Sequence, residues 1–303
     1  MAGLCLGTAQ LGMKYGINNK VGKLQKEAVF DILDTAMENH IVVWDTASIY
    51  GEAEELLGEY LSKHADTTQD VKIISKQCNP VEGLDCLGIE RSIREELQSS
   101  LEKLHRQYLD GYLLHSYREI DNPNTIRVLC DLRDEGLVRK IGVSVYEIDE
   151  AEKAVEEGVI DYLQMPCSIF DQRGLTSGVF RKAKAKGIKV FTRSAFLQGL
   201  LMMKDGEIPE YLKEIKPYVE KFNCILAKYN TERKHAVLKY ILSQDLIDYM
   251  VFGIETKEQL LEIIDEQDTE PLTKEFIEEI QDSFYNIDTE LILPVHWKKR
   301  VDL

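Results

Sequence analysis

The chain has 303 residues, 44% hydrophobic and 30% charged, with a formal net charge of −16, a composition that fits a globular protein with a large core. That acidic balance, with no basic run longer than Lys298-Lys299-Arg300, argues against nucleic acid or an anionic membrane surface as a partner. No apolar run approaches the roughly 20 residues of a membrane span, and the opening MAGLCLGTAQLG lacks the basic and apolar regions of a signal peptide, so a cytoplasmic location is expected.

The predicted elements alternate in kind from the first residues onward. A short β-run at 4–6 (LCL) precedes a helical stripe of Val29, Ile32, Leu33, Ala36 and Met37. β-runs follow at 41–44 and 71–74, and then a second stripe of Ile89, Ile93, Leu97, Leu101 and Leu104. Further β-runs fall at 111–114, 140–143, 160–164, 188–191 and 249–252, with a third stripe at Leu260, Leu261, Ile263 and Ile264. Each run is short and mostly apolar, as parallel strands buried on both faces are. Gly136, Gly158 and Gly187 close helical segments just before strands. Two helical stretches, 209–229 and 273–284, exceed an eightfold count.

Eight β-runs separated by helices, with no Pro/Gly/Ser-rich linker, predict an α/β chain folded as one closed (β/α)8 TIM barrel over residues 1–303, with two extra helices. A doubly wound open sheet is the alternative, but the GxGxxG turn it favours after the first strand is missing. The six cysteines show no CxxC or Cys/His spacing, so reduced thiols and no metal site are expected.

Reactive groups of such a barrel sit at the C-terminal ends of the strands. Asp45 ends the second β-run, Tyr50 lies in the loop after it, Lys76 ends the third and His115 the fourth. Alone, each has an ordinary explanation: a turn-forming Asp, a packed Tyr, a solvated Lys or His. Together, on consecutive βα units, they converge on one rim of the mouth. An ammonium near a phenol favours its phenolate, and a carboxylate beside that ammonium holds the charge in place. His115 can then hydrogen-bond a carbonyl oxygen. Such a group protonates an oxygen on which negative charge develops. No side chain supplies hydride, so a redox reaction here requires an external cofactor.

The stretch WDTASIYGEAEELLG (44–58) resembles the DTAxxYG signature of the aldo-keto reductases, and Lys76 and His115 fall where that family keeps its other two catalytic residues. The resemblance runs from LGTAQLG near the start to VFGIETKEQLLEII near the end, and the two extra helices match that family's additions. It implies NADPH- or NADH-dependent reduction of a small-molecule aldehyde or ketone, with Tyr50 as proton donor and Asp45 holding Lys76. It also implies a cofactor site: Gly7 and Thr8 after the first strand, Asp45, and Ser144 and Gln164 at the carboxamide. Arg193, Ser194, Phe196, Gln198 and Gly199 fall at the pyrophosphate loop, and Gly253, Glu255, Thr256 and Gln259 at the adenosine end.

The sequence departs from the family pattern at several positions. Val145 replaces a common Asn, Arg193 a stacking aromatic and Ile263 an adenine-contacting Asn. A guanidinium plane can also stack, or pair with a phosphate or substrate anion. Glu255 stands where many members place Lys or Arg; a carboxylate repels the 2′-phosphate of NADP but accepts hydrogen bonds from the ribose hydroxyls of NAD. Thr256 and Lys257 lie close enough to compensate, so residue logic leans to NADH and family habit to NADPH. The N-terminal hairpin that closes the barrel floor in many relatives is expected to be absent. Residues 167–173 and the tail Pro294-Val295-His296-Trp297 are candidates to shape the substrate pocket, the Trp equally to cover the barrel wall.

Two rivals remain: a lyase or aldolase using Lys76 as a Schiff-base amine, and a non-catalytic nucleotide-binding regulatory protein. Residue types alone name neither the individual carbonyl substrate nor the oligomeric state.

Overall fold

In the computed structural model, which describes residues 1–301, the eight β-runs pair in chain order and close on themselves. Residues 302 and 303, the end of the expected 1–303 unit, lie outside the described residues. The strands are β1 (Gly3–Gly7), β2 (Val43–Asp45), β3 (Lys72–Gln77), β4 (Gly111–Leu114), β5 (Ile141–Ser144), β6 (Tyr162–Pro166), β7 (Lys189–Arg193) and β8 (Tyr249–Gly253). All neighbours are parallel, and β8 closes onto β1 from Gly3↔Tyr249 to Gly7↔Gly253.

The helices that follow the strands form the outer ring: α1 (Lys26–Glu38), α2 (Ala53–Lys63), α3 (Cys86–Lys103), α4 (Pro123–Asp134), α5 (Ile148–Glu157) and α6 (Val179–Ala185). After β7 come α7 (Lys216–Lys228) and α8 (Arg233–Leu242), and after β8 come α9 (Lys257–Asp265) and α10 (Lys274–Phe284). The supernumerary helices are α7 and α10. Thr273 starts α10 by accepting a hydrogen bond from the Phe276 N–H, a side-chain N-cap. The expected single helix over 209–229 divides into a 3-10 segment, Glu210–Ile215, and α7. Pro217 lies in the first turn of α7, where its missing N–H costs nothing; inside one continuous helix it would break the ladder.

Several strands begin later than their apolar runs. The run 160–164 yields Tyr162–Pro166, 188–191 yields Lys189–Arg193, and 71–74 yields Lys72–Gln77. Buried Val71, Ile160 and Ile188 belong to the entry into each strand, while the ladder continues into polar residues at its C-terminal end. The polar ends matter because side chains alternate with period two. Cys5, Val43, Ile74, Leu113, Phe191 and Val251 form a cluster of their own, the barrel interior. Stepping two residues along each strand from that layer places Gly7, Asp45, Lys76, His115, Arg193 and Gly253 on the same inward face at the mouth, and the same alternation puts Ser144 and Gln164 beside them.

At the opposite end, the described residues hold no strand before β1. Tyr162, Phe191 and Tyr249 fill the floor instead, with ring centroids 5.0 Å apart for Tyr162–Phe191 and 4.8 Å for the stacked Phe191–Tyr249 pair.

Both stretches named as pocket candidates contribute to the barrel wall, which for Trp297 is one of the two readings the sequence left open. Residues 167–173 pack beneath the supernumerary helices: Phe170 meets Phe222 of α7 at 6.1 Å and Phe284 of α10 at 4.8 Å between centroids. Trp297 lies in a C-terminal helix, Pro294–Val301, with its indole in the core and its Nε1–H donated to the Leu291 carbonyl at 3.1 Å. A large apolar ring gains more from that burial than from an exposed rim. Among the described residues no helix is long and apolar enough to cross a membrane, and no cluster of metal-ligating side chains is present.

Candidate active site

Asp45, the last residue of β2, is buried at the centre of the mouth. Its backbone carbonyl accepts hydrogen bonds from the Thr8 N–H (2.9 Å) and the Thr8 hydroxyl (3.0 Å), which lock β2 to the exit of β1. Its carboxylate takes two further donors. Lys76 Nζ donates to Oδ1 at 2.6 Å and Gln164 Nε2 to Oδ2 at 2.7 Å. Lys76 has no exposed surface, and it also donates to the Thr46 carbonyl at 2.7 Å.

The Tyr50 loop is held close by a glycine contact. Gly51 has a φ of +61°, and a Cβ there would meet the Gly12 carbonyl oxygen at 2.5 Å. A Cβ on Gly12 would in turn lie 2.0 Å from the Tyr50 carbonyl oxygen, so neither position admits a side chain. The result places the Tyr50 ring 5.2 Å, centroid to nitrogen, from Lys76 Nζ. His115 follows β4 and donates its backbone N–H to the Gln77 carbonyl at 2.9 Å.

From Asp45 the bonds continue around the rim. Ser144 Oγ donates to Gln164 Oε1 at 3.2 Å, and Arg193 Nε donates to Ser144 Oγ at 3.4 Å. A second guanidinium N–H of Arg193 reaches the Val145 carbonyl at 3.1 Å, and its plane lies 4.1 Å from the Tyr146 ring centroid. Five inward side chains, Lys76, Asp45, Gln164, Ser144 and Arg193, thus form one connected network.

Charge and burial set the protonation states. Burial pushes the Tyr50 phenol up to about 12, with Lys76 pulling against it. The sequence led us to expect a net gain in acidity from Lys76; its direction is as expected, but desolvation outweighs it. Burial also opposes the Lys76 ammonium, yet Asp45 and Tyr50 together hold its pKa above the ordinary lysine value. His115 goes down to about 3, through burial first and then the Lys76 and Arg193 cations, so its imidazole is neutral.

A cleft of about 300 Å³ opens beside this group. Of the expected cofactor residues, Gly7, Thr8, Asp45, Arg193, Ser194, Phe196, Gln198, Gly199, Gly253, Glu255 and Gln259 line it, together with Tyr50. Ser144 and Gln164 stand in the network next to Arg193 and are not part of the lining. Thr256 is not part of the lining either: its hydroxyl accepts the Gln259 N–H at 3.2 Å, capping α9. Lys257, expected near the same end, is drawn away into an ion pair with Asp31 at 2.9 Å. The Gln259 side-chain oxygen accepts the Glu255 N–H at 2.8 Å, and burial raises the pKa of the Glu255 carboxyl.

The sequence reading missed Gln10, Tyr15, Asn18, Lys234 and Glu262, all of which line the cleft. Tyr15 accepts a hydrogen bond from Gln198 Nε2 at 3.1 Å, which joins the β1 loop to the β7 loop across the opening. The usable signal was loop length: the stretch between β1 and α1 is far longer than a typical connection, and such loops are commonly functional.

The backbone after β7 also departs from ordinary geometry. Ser194, Leu197 and Gln198 have φ values of +64°, +48° and +52°, a concentration of left-handed non-glycine residues that costs energy and recurs at ligand sites. Turns of this sort present successive N–H groups to an anion. Across the cleft, a Cβ on Gly253 would come within 2.2 Å of the end of the Gln10 side chain, which would have to swing aside to admit it. These features fit a dinucleotide.

Comparison with known proteins places this geometry. Residues 3–284 match the model of the aldo/keto reductase family. The chain is 26% identical over 292 residues to the uncharacterized oxidoreductase YqkF of Bacillus subtilis (strain 168), covering 91% of this chain and 94% of that one. It is also 26% identical over 266 residues to an NADH-specific methylglyoxal reductase of Escherichia coli (strain K12), covering 76% of this chain and 80% of that protein. Among solved structures, the holo form of aldo-keto reductase AKR11C1 from Bacillus halodurans superposes with a TM-score of 0.75 at 23% identity, covering 97% of this chain and 94% of that one.

Proposed function

The chain belongs to the aldo/keto reductase family, whose reaction is NAD(P)H-dependent carbonyl reduction, and from that premise we propose that Tyr50, Lys76, Asp45 and His115 carry it out here as one unit. The Lys76–Asp45 pair facing the Tyr50 ring at the cleft is the observation on which the proposal rests. Bound reduced nicotinamide would supply hydride to the carbonyl carbon. Tyr50 gives its phenolic proton to the carbonyl oxygen as negative charge develops there. Lys76 stabilises the phenolate left behind, and Asp45 and Gln164 keep the ammonium in place. Neutral His115 donates a hydrogen bond to the same oxygen and orients it. The residues that would hold the cofactor are the Gly7–Thr8 turn, Ser144 and Gln164 for the carboxamide, the β7 loop for the pyrophosphate, and Gly253, Glu255 and Gln259 for the adenosine.

A Schiff-base role for Lys76 is disfavoured by its chemistry. An amine must be unprotonated to attack a carbonyl, and Lys76 is paired with a carboxylate that favours its charged form.

At the adenosine end NADH is the proposed cofactor. Glu255 lines the cleft and Lys257 is engaged elsewhere, so a 2′-phosphate would meet a carboxylate. Small aldehydes and ketones, including 2-oxoaldehydes of the methylglyoxal type named for the Escherichia coli relative, are the proposed substrates. The whole chain is proposed to act as one cytoplasmic domain. A panel of aldehydes, 2-oxoaldehydes and ketones, followed by nicotinamide absorbance with NADH and NADPH in parallel, tests the reading. Cofactor oxidation with at least one carbonyl is expected; cofactor binding without oxidation across the panel would favour the regulatory alternative.

A further inference from the structure

We infer that Glu96, a residue of the outer helix ring, is a positioning residue that fixes the Tyr50 loop against the ends of the strands bearing Lys76 and His115; this rests on the reading of Tyr50 as proton donor.

Glu96 lies on α3, on the side turned to the barrel, and only 6% of its surface is exposed. A carboxylate in that interface is costly unless its oxygens are satisfied. Among the described residues no Lys or Arg pairs with it within ion-pair distance. Its partners are instead the strand end and loop residues next to the proposed catalytic groups. Oε1 accepts the Ser48 hydroxyl at 2.5 Å and the Cys78 N–H at 2.9 Å. Oε2 accepts the Asn79 N–H at 3.0 Å and Gln77 Nε2 at 3.3 Å.

Those partners flank three of the four groups. Ser48 is two residues before Tyr50, in the same turn. Gln77 follows Lys76 directly, and its carbonyl holds the His115 backbone N–H at 2.9 Å. One carboxylate therefore ties the phenol's loop to the lysine's strand, and through that strand to the histidine. Proton transfer tolerates little displacement of donor from acceptor, so a fastening at this point acts on turnover more than on binding.

A neighbouring carboxylate supplies the contrast. Glu54 on α2 is also buried, but it accepts the Ser75 hydroxyl at 2.7 Å and the Ser100 hydroxyl at 3.2 Å, which belong to the outward face of β3 and to α3. It joins framework to framework and fastens no mouth loop.

The test compares Glu96→Gln, Ser48→Ala, the double variant, Ser48→Thr and Glu54→Gln, with Tyr50→Phe alongside. For each, kcat with methylglyoxal and NADH, the Kd of NADH and the Tm are measured. Glu96→Gln and Ser48→Ala are each expected to lower kcat by about tenfold or more with Kd within about twofold. The double variant should be no slower than Glu96→Gln alone, because both break one connection. Ser48→Thr, which keeps the hydroxyl, should recover turnover, and Glu54→Gln should lower Tm while leaving kcat unchanged. Wild-type kcat in Ser48→Ala, multiplying losses in the double variant, or kcat and Kd falling together would overturn the inference. Ser48→Ala carries the test even where Glu96→Gln does not fold. Wild-type turnover in Tyr50→Phe would instead remove the reading beneath it, whereas an inactive Tyr50→Phe beside a normal Glu96→Gln removes the Glu96 inference alone.

Discussion

Lys76 Nζ stands 5.2 Å from the centre of the Tyr50 ring while bound at 2.6 Å to Asp45 Oδ1. The ammonium thus faces a carboxylate on one side and a phenol on the other, in a place with almost no solvent. In the free protein the phenol is less acidic than in water, because burial acts on it more strongly than the cation does. In the proposed reaction Lys76 would therefore contribute by stabilising the phenolate as the proton leaves, not by ionising Tyr50 beforehand.

Removing one member of the buried pair should be more harmful to folding than removing both. Lys76→Met leaves Asp45 buried without its counter-ion, a loss of about 3–5 kcal/mol. Asp45→Asn combined with Lys76→Met should regain most of that stability in denaturant unfolding, while neither variant regains turnover. Equal stability of the single and double variants would argue against the pair as described.

The pH behaviour follows from the same shifts. Tyr50 keeps its proton until about pH 12, and His115 stays neutral down to about 3. Neither titrates in the ordinary assay range, so kcat should be level from about pH 5 to about pH 9. Stability has a defined sign. The folded pKa of His115 lies below its ordinary value of 6.5, so the unfolded chain takes up the proton first. This contribution is complete above pH 6.5 and is lost as pH falls toward about 3. Melting temperatures measured from neutral to acid pH should drop less steeply in His115→Gln than in the wild type.

Cofactor choice is expected to turn on Glu255. Glu255→Lys exchanges a repelling group for an attracting one at the proposed 2′-phosphate position. The ratio of NADPH to NADH affinity should rise by about tenfold or more, read by fluorescence titration with each cofactor. An unchanged ratio would show that Glu255 does not discriminate.

The barrel and its mouth were legible because both rest on local periodicity. Short apolar runs marked every strand, and period-two alternation set Asp45, Lys76 and Gly253 facing inward together. Strand starts were less legible, since residues such as Val71 and Ile160 are buried whether or not they join the ladder. Trp297 could not be placed from sequence, because an aromatic near a chain end suits a rim or a core equally; its burial depends on packing that only the fold supplies. Tyr15 and Asn18 escaped notice because they lie in an irregular loop, where no period predicts which side chain crosses the cleft. Glu96 escaped for another reason. It is one of several acids on an amphipathic helix, and only the position of the Tyr50 loop distinguishes it from its solvated neighbours.

The most direct measurement is single-turnover reduction by Tyr50→Phe with cofactor affinity determined on the same sample. The phenylalanine ring retains the packing and the face presented to Lys76 but has no proton to give. The expected rate is lower by roughly two to four orders of magnitude, with the dissociation constant for NADH unchanged within about twofold. A rate near that of the wild type would contradict it, since the proton would then come from another group.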